Sequence, residues 1–262
     1  MTTIIGCTTR PYDSVLAFEQ TCEHIAAAGY TDVAVFGKAL NSKSSDDKVA
    51  GVRNAAANAG VAPSMLLVGS DLTGTLEHAV DDYKRLIDNA TALGAQWLLD
   101  LGTGKEAQYA NYFEMMRQVA SHAQAAGIGI TMKPHGGISL TVDDLIRAND
   151  QVDHPAFGIC YDPGNIIYYT QGKLRPEPFV ETMAPITSTF IIKDCVIIDG
   201  KPDVMVTPGN GLVDFDKVIG GLVANGFDGP CYLECVSGKT LEEIDHAVSA
   251  SRVFIKQILQ MQ

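Results

Sequence analysis

The chain has 262 residues, 46% of them hydrophobic, and a formal net charge of −12 with a pI near 4.8. That length is ample for one large core and close to the usual size of an eightfold strand–helix barrel. The acidic balance disfavours nucleic acid and anionic membrane as partners, since both favour a positive surface, but it leaves a small-molecule substrate open.

In chain order, short apolar or β-branched runs recur at 3–9, 32–36, 63–69, 96–102 ("QWLLDLG"), 127–133, 157–162, 188–194 and 231–236. Their starts are mostly about 30 residues apart, the length of a strand–helix unit. Between them lie helix-like stretches. The segment "SVLAFEQTCEHIAAAG" (14–29) opens on a hydroxyl cap, repeats apolar residues every three or four positions and stops at glycine. The segments 75–94, 109–127 and 240–259 carry the same periodicity. Alternation at this period predicts parallel strands joined by crossover helices. Eight such units predict an α/β fold, a (β/α)8 TIM barrel, built as one domain over 1–262. An open doubly wound sheet is the alternative. It is weakened by the lack of a G-x-G-x-x-G after the first strand.

The six cysteines, Cys7, Cys22, Cys160, Cys195, Cys231 and Cys235, form no C-x-x-C pair. Four lie inside predicted strands, so they read as buried reduced thiols, which suits a cytoplasmic location. The N-terminus "MTTIIGCTTRPYDS" lacks the pattern of a signal peptide. No uncharged apolar run reaches the roughly 18 residues of a membrane span.

Several predicted strands end in charge. Lys133, Asp162, Lys193, Asp194 and Glu234 lie at or near strand ends, with His135 and Asn165 just beyond; Asp100 and Lys38 are weaker members. Parallel barrel strands point the same way, so these residues converge on the C-terminal rim, where barrel active sites sit. Carboxylates and ammonium groups facing one cavity can hold a polar substrate and move protons. The bland reading of any one of them is a helix cap or a solvated loop charge, and for Lys38 solvation is the better reading. His24, His78, His122 and His246 fall on predicted helices, away from the rim. The loop "TPGNG" (207–211) offers backbone N–H groups to an anion or hydroxyl, with simple turn formation as the plain alternative.

The segments "TMKPHGG" (131–137), "GICYDPGN" (158–165), "FIIKD" (190–194), "TPGNGLVDF" (207–215) and "GPCYLEC" (229–235), in that order, resemble the xylose isomerase-like barrel superfamily. That superfamily holds sugar phosphate isomerases and epimerases, inosose dehydratase and endonuclease IV. The resemblance implies a divalent ion held by glutamate, aspartate, histidine and glutamate at the ends of strands five to eight. Asp162 and Glu234 match. Lys133 stands where a glutamate is expected, and Ile191 where the histidine is expected. A charged lysine has no lone pair to offer a metal. The expectation is therefore no cofactor, with the Lys133 cation in the ion's place. A weakly bound manganese or magnesium on Asp162 and Glu234, with His135 and water, is the alternative.

The resemblance further implies a sugar, sugar phosphate or sugar acid isomerase or epimerase working through an enediolate-like intermediate. Glu234 or Asp162 would be the base, and Lys133 or Lys193 would stabilise the enolate oxygen. His135, Asn165 and Asp194 would contact substrate. A Schiff-base lysine ranks lower, because nearby carboxylates raise a lysine pKa. A dehydratase or other lyase on a keto-sugar or polyol-derived ketone, and a non-catalytic sugar-binding barrel with a degenerate metal site, remain alternatives. The expected partner is a small carbohydrate, and a homo-oligomer would be ordinary for the family.

Overall fold

The structure is a computed structural model that describes residues 4–36 and 38–261. Residue 3, where the first predicted strand opens, lies outside the described residues. Eight parallel strands close into a barrel: β1 (Ile5–Thr8), β2 (Asp32–Val35), β3 (Ala62–Val68), β4 (Trp97–Asp100), β5 (Gly129–Met132), β6 (Phe157–Tyr161), β7 (Thr187–Ile192) and β10 (Cys231–Leu233). β1 closes the ring by pairing with both β2 and β10. Every predicted strand is present, although most are shorter than the apolar runs, because the charged ends fall just outside the ladder.

The helices are α1 (Phe18–Ala27), α2 (Asp46–Ala59), α3 (Leu76–Leu93), α4 (Tyr109–Ala125), α5 (Val142–Val152), α6 (Pro163–Tyr169), α7 (Val180–Met183), α8 (Phe215–Ala224) and α9 (Leu241–Met261). They pack an outer apolar layer against the strands, with Leu66, Leu98, Ile130, Ile159, Phe190 and Leu233 facing it from the sheet. Local chemistry sets the helix limits. Thr75 caps α3 by accepting the His78 N–H at 3.2 Å, and Gly94 ends the helix at φ 90°, where a side chain would be strained. Ser14 does not cap α1. That helix starts three residues after the turn that contains Ser14, and Gln20 accepts the Ala17 N–H at 3.4 Å.

One feature departs from the predicted pattern. A short antiparallel hairpin, β8 (Val196–Ile198) and β9 (Lys201–Asp203), follows β7. Its turn is Asp199-Gly200, with φ of 51° and 75°, the pairing that suits a two-residue hairpin turn.

Successive strand side chains alternate between the helix layer and the barrel interior. The interior holds Ala34, Met65, Leu99, Cys160, Ile191 and Tyr232. Tyr232 is satisfied there by Ser64 at 2.8 Å. Gly6 gives this ring its space: a methyl group on Gly6 would stand 2.5 Å from the Tyr232 ring. Replacing Gly6 with alanine should therefore overpack the barrel and cost about 1–3 kcal/mol, seen as a lower urea midpoint with an unchanged slope. An unchanged midpoint would show that the ring has room to move.

Candidate functional site

The alternation that fills the barrel also builds the site. Two residues beyond Thr131, Cys160, Ile191 and Tyr232, on the same inward side, stand Lys133, Asp162, Lys193 and Glu234. The structure brings these four together above the apolar plug. Their exposures are 2%, 0%, 2% and 4%. The Lys133 Nζ donates to Glu234 Oε2 at 2.6 Å and lies 3.5 Å from Asp162 Oδ2. The Lys193 Nζ donates to Asp162 Oδ2 at 3.0 Å, to Glu234 Oε1 at 2.8 Å and to Asn165 Oδ1 at 3.2 Å. Two ammonium groups against two carboxylates leave the cluster formally neutral (+2 − 2 = 0), where Lys133 alone would have left it at −1.

The electrostatics follow from this crossing pattern. Burial works against the Glu234 carboxylate, yet the Lys133 and Lys193 charges outweigh it and hold its pKa well below the ordinary value. Burial likewise works against the Lys193 ammonium, and Asp162 and Glu234 outweigh it, holding its pKa well above the ordinary value. Lys193 is thus a fixed cation whose three N–H groups are all engaged. Lys133 makes one hydrogen bond and one longer ionic contact, which leaves it donor capacity.

Asp162 has two duties. Its Oδ1 accepts the Asn165 N–H at 3.0 Å, capping α6, while its Oδ2 faces the lysines. Pro163, at the first helical position, suits that start. Gly164 lets α6 approach, since a methyl group there would lie 2.8 Å from the Lys193 stem. Asn165 is buried and donates to the Pro134 carbonyl at 2.7 Å, joining the loop after β5 to α6. His135 sits on that loop with an exposed ring, 5.0 Å from the Tyr169 ring centre. Crowding of its inner side, then the Lys133 and Lys193 charges, lowers its pKa to about 4, so the ring is neutral at pH 7.

Other expected site residues lie elsewhere. Asp194 is fully buried and turned away from the cluster. It accepts the backbone N–H groups of Cys195, Gly209, Gly211 and Val213 at 2.8, 3.0, 2.8 and 3.0 Å. It anchors the 207–213 loop, so it is not placed to contact substrate, and the Gly209 and Gly211 amides expected for an anion are taken by this carboxylate. Asp100 is also buried, accepting from the Gly102 N–H, the Tyr112 hydroxyl and Ser70 at 2.7, 2.8 and 2.9 Å. Lys38 is solvated, 4.0 Å from Asp13. Arg10, just past β1 on the strand next to Glu234's, was not among the expected residues. It lies two residues past the end of β1, after Thr8 and Thr9, in the turn that follows the strand.

These side chains do not fit a divalent-metal centre. All four carboxylate oxygens of Asp162 and Glu234 already accept a donor, three of them from ammonium groups that would repel a cation. Among the described residues no group of three His, Cys, Asp or Glu side chains could hold a metal ion. All six cysteines are buried and unpaired. No helix among the described residues is long and apolar enough to cross a membrane.

The cluster also sets a pH dependence. Because the folded pKa of Glu234 is depressed, its stabilisation is fully present above the unfolded value of about 4.3 and is lost as pH falls below it. Glu234→Gln leaves two buried ammonium groups under-neutralised and should cost about 3–5 kcal/mol at pH 7. The difference from the parent should shrink steadily between pH 5 and pH 2 in urea titrations. A difference that stays constant with pH would refute the ion-pair account.

A sequence profile described as xylose isomerase-like TIM barrel matches residues 22–257. None of the curated proteins matches the sequence significantly. Among solved structures, a xylose isomerase-like TIM barrel protein from Mycobacterium smegmatis in complex with magnesium is similar at a TM-score of 0.79 and 19% identity, over 98% of this chain and 97% of that one. D-psicose 3-epimerase from Clostridium cellulolyticum H10, with D-tagatose, is similar at 0.79 and 15% identity, over 98% and 99%. The probable 3-DHS dehydratase AsbF from Bacillus anthracis is similar at 0.73 and 13%, over 97% and 99%. At these identities the solved structures speak for the fold, and the profile, which spans most of the chain, shows that this protein belongs to the xylose isomerase-like TIM barrel family.

Proposed function

We propose that this chain is a single-domain carbohydrate isomerase or epimerase that abstracts a proton beside a carbonyl and uses lysine ammonium groups where a divalent ion would otherwise serve. The observation that carries this reading is Lys133, a buried cation with donor capacity left, 2.6 Å from a carboxylate held in its charged form. A substrate carbonyl entering from the rim takes an N–H of Lys133. Glu234 removes the proton from the neighbouring carbon, the C–H electrons form the C=C bond, and the carbonyl π electrons move to oxygen. That oxyanion is stabilised by Lys133. As Lys133 turns toward the substrate it releases part of its hold on Glu234, which raises the basicity of that carboxylate at the moment it is needed. Lys193, fully engaged, keeps Asp162 and Glu234 in place. Return of the proton to the same carbon gives an epimer; return to the former carbonyl carbon, with the proton of the neighbouring hydroxyl passing to the oxyanion as the new carbonyl forms, gives an isomer. Loss of a β-hydroxyl from the same enolate would make the enzyme a lyase. A Schiff base at Lys193 is opposed by its raised pKa.

A second reading, a barrel that binds a sugar without turning it over, is favoured by the mutual satisfaction and low exposure of the four charged groups. The two readings separate in heavy water. Catalysis predicts deuterium entering a ketose at the carbon beside its carbonyl, and Lys133→Met should slow that exchange about 100- to 1000-fold, as expected for loss of one oxyanion donor. Ligand-raised thermal stability without exchange would instead establish the binding reading. Elemental analysis of protein purified without added metal should find far less than one divalent ion per chain, and chelator should leave exchange intact. About one tightly held manganese, magnesium or zinc per chain would overturn the role given to the lysines.

A further inference from the structure

β8 and β9 form a two-stranded sheet outside the barrel, and such a sheet has two edges. The ladder pairs Val196 with Asp203, Ile197 with Pro202 and Ile198 with Lys201. Ile198 and Lys201 close the two-residue turn at Asp199-Gly200, so they are the pair that exchanges both backbone hydrogen bonds. Bonded and non-bonded pairs alternate, so Ile197 and Pro202 turn their backbone groups outward, to opposite edges. On the β9 edge that position is a proline, which has no N–H to offer, and β9 lies against α6. On the β8 edge it is Ile197, whose N–H and C=O have no hydrogen-bond partner among the described residues. One edge is blocked and the other is open. The open edge is also apolar. Ile197 and Ile198 are 40% and 59% exposed. Met205 and Leu212, in the same excursion between β7 and α8, are exposed too, and the Leu212 N–H, bonded to the Cys195 carbonyl at 2.9 Å, holds that residue beside the start of β8. Natural sheets ordinarily protect such an edge with charge, proline or cover.

We propose that the open edge pairs with β8 of a second copy of this chain, antiparallel about a two-fold axis at Ile197. The side chains fit that occupant. Val196-Ile197-Ile198 carries no charge. Paired with itself in this register it sets apolar against apolar throughout: Ile197 meets its own counterpart, and Val196 meets the counterpart of Ile198. The resulting sheet runs β9-β8-β8-β9. Each row through Ile198 and Val196 begins on Lys201 of one copy and ends on Asp203 of the other, so it closes on opposite charges and no charge faces a like one. The contact is isologous, closes at two copies and leaves only the proline-bearing edges outside. Two chains of net charge −12 repel each other. The attraction is therefore apolar contact and backbone pairing, and salt, which screens the repulsion, should strengthen it.

Sedimentation equilibrium of the full chain should find a dimer at high micromolar concentration, with a Kd that tightens as salt is added. Ile197→Pro repeats on β8 the block that Pro202 places on β9, and it removes an N–H that the hairpin itself does not use. Ile198→Lys keeps the backbone edge and puts a charge into the apolar row. Each should weaken the dimer by about tenfold or more, with a native circular dichroism spectrum. Val253→Lys, at an apolar position on α9 that is 54% exposed, should leave the dimer unchanged. A monomer at that concentration, an assembly larger than two, a dimer that salt dissociates, or one that either hairpin variant leaves intact would each overturn the proposal. So would a dimer that Val253→Lys breaks as readily as Ile198→Lys does.

Discussion

Four charged side chains are buried at one end of this barrel, and burying charge is expensive unless each charge meets its opposite. That requirement organises the rim. Each lysine must reach both carboxylates, so the ends of β5, β6, β7 and β10 must be held in register, and the apolar plug beneath must lift the four side chains to one level. The plug does this with Cys160, Ile191 and Tyr232, each two residues before a charged member of the set. The parallel, closed topology brings the strand ends together, and mutual neutralisation fixes their geometry.

Much of this was legible in the residues. The eight strand positions follow from the spacing of apolar runs, and Lys133, Asp162, Lys193 and Glu234 follow from charge closing those runs. Two things were hidden. The partition of a strand-end pair such as Lys193-Asp194 depends on side-chain parity at a point where the ladder stops, so one residue faces the barrel interior and the other the loop. Nothing in "FIIKD" alone says which. The hairpin is the other: its strands, Val196–Ile198 and Lys201–Asp203, are three residues each, too short for their alternation to stand out, and the Asp-Gly pair between them reads equally well as an ordinary loop turn.

Arg10 escaped notice for a related reason. In "TTRPY" the charge arrives one residue beyond a polar stretch rather than directly at the end of an apolar one, so it reads as the start of a loop. Its place beside the strand of Glu234 appears only once β1 is seen to close the ring beside β10, because adjacency of the first and last strands is a property of closure and leaves no trace in local sequence.

The division of labour within Asp162 has a consequence for how this site can vary. One oxygen holds the start of α6 and the other holds the lysines. A carboxylate can do both because it has two equivalent acceptors. An amide of the same shape has one acceptor and one donor, so it would either uncap the helix or present an N–H to an ammonium group. Helix geometry and rim charge are therefore tied to a single carboxyl group. Any lineage that abandons this charge pattern must rebuild the entry to α6 at the same time, which makes gradual drift through intermediate forms costly.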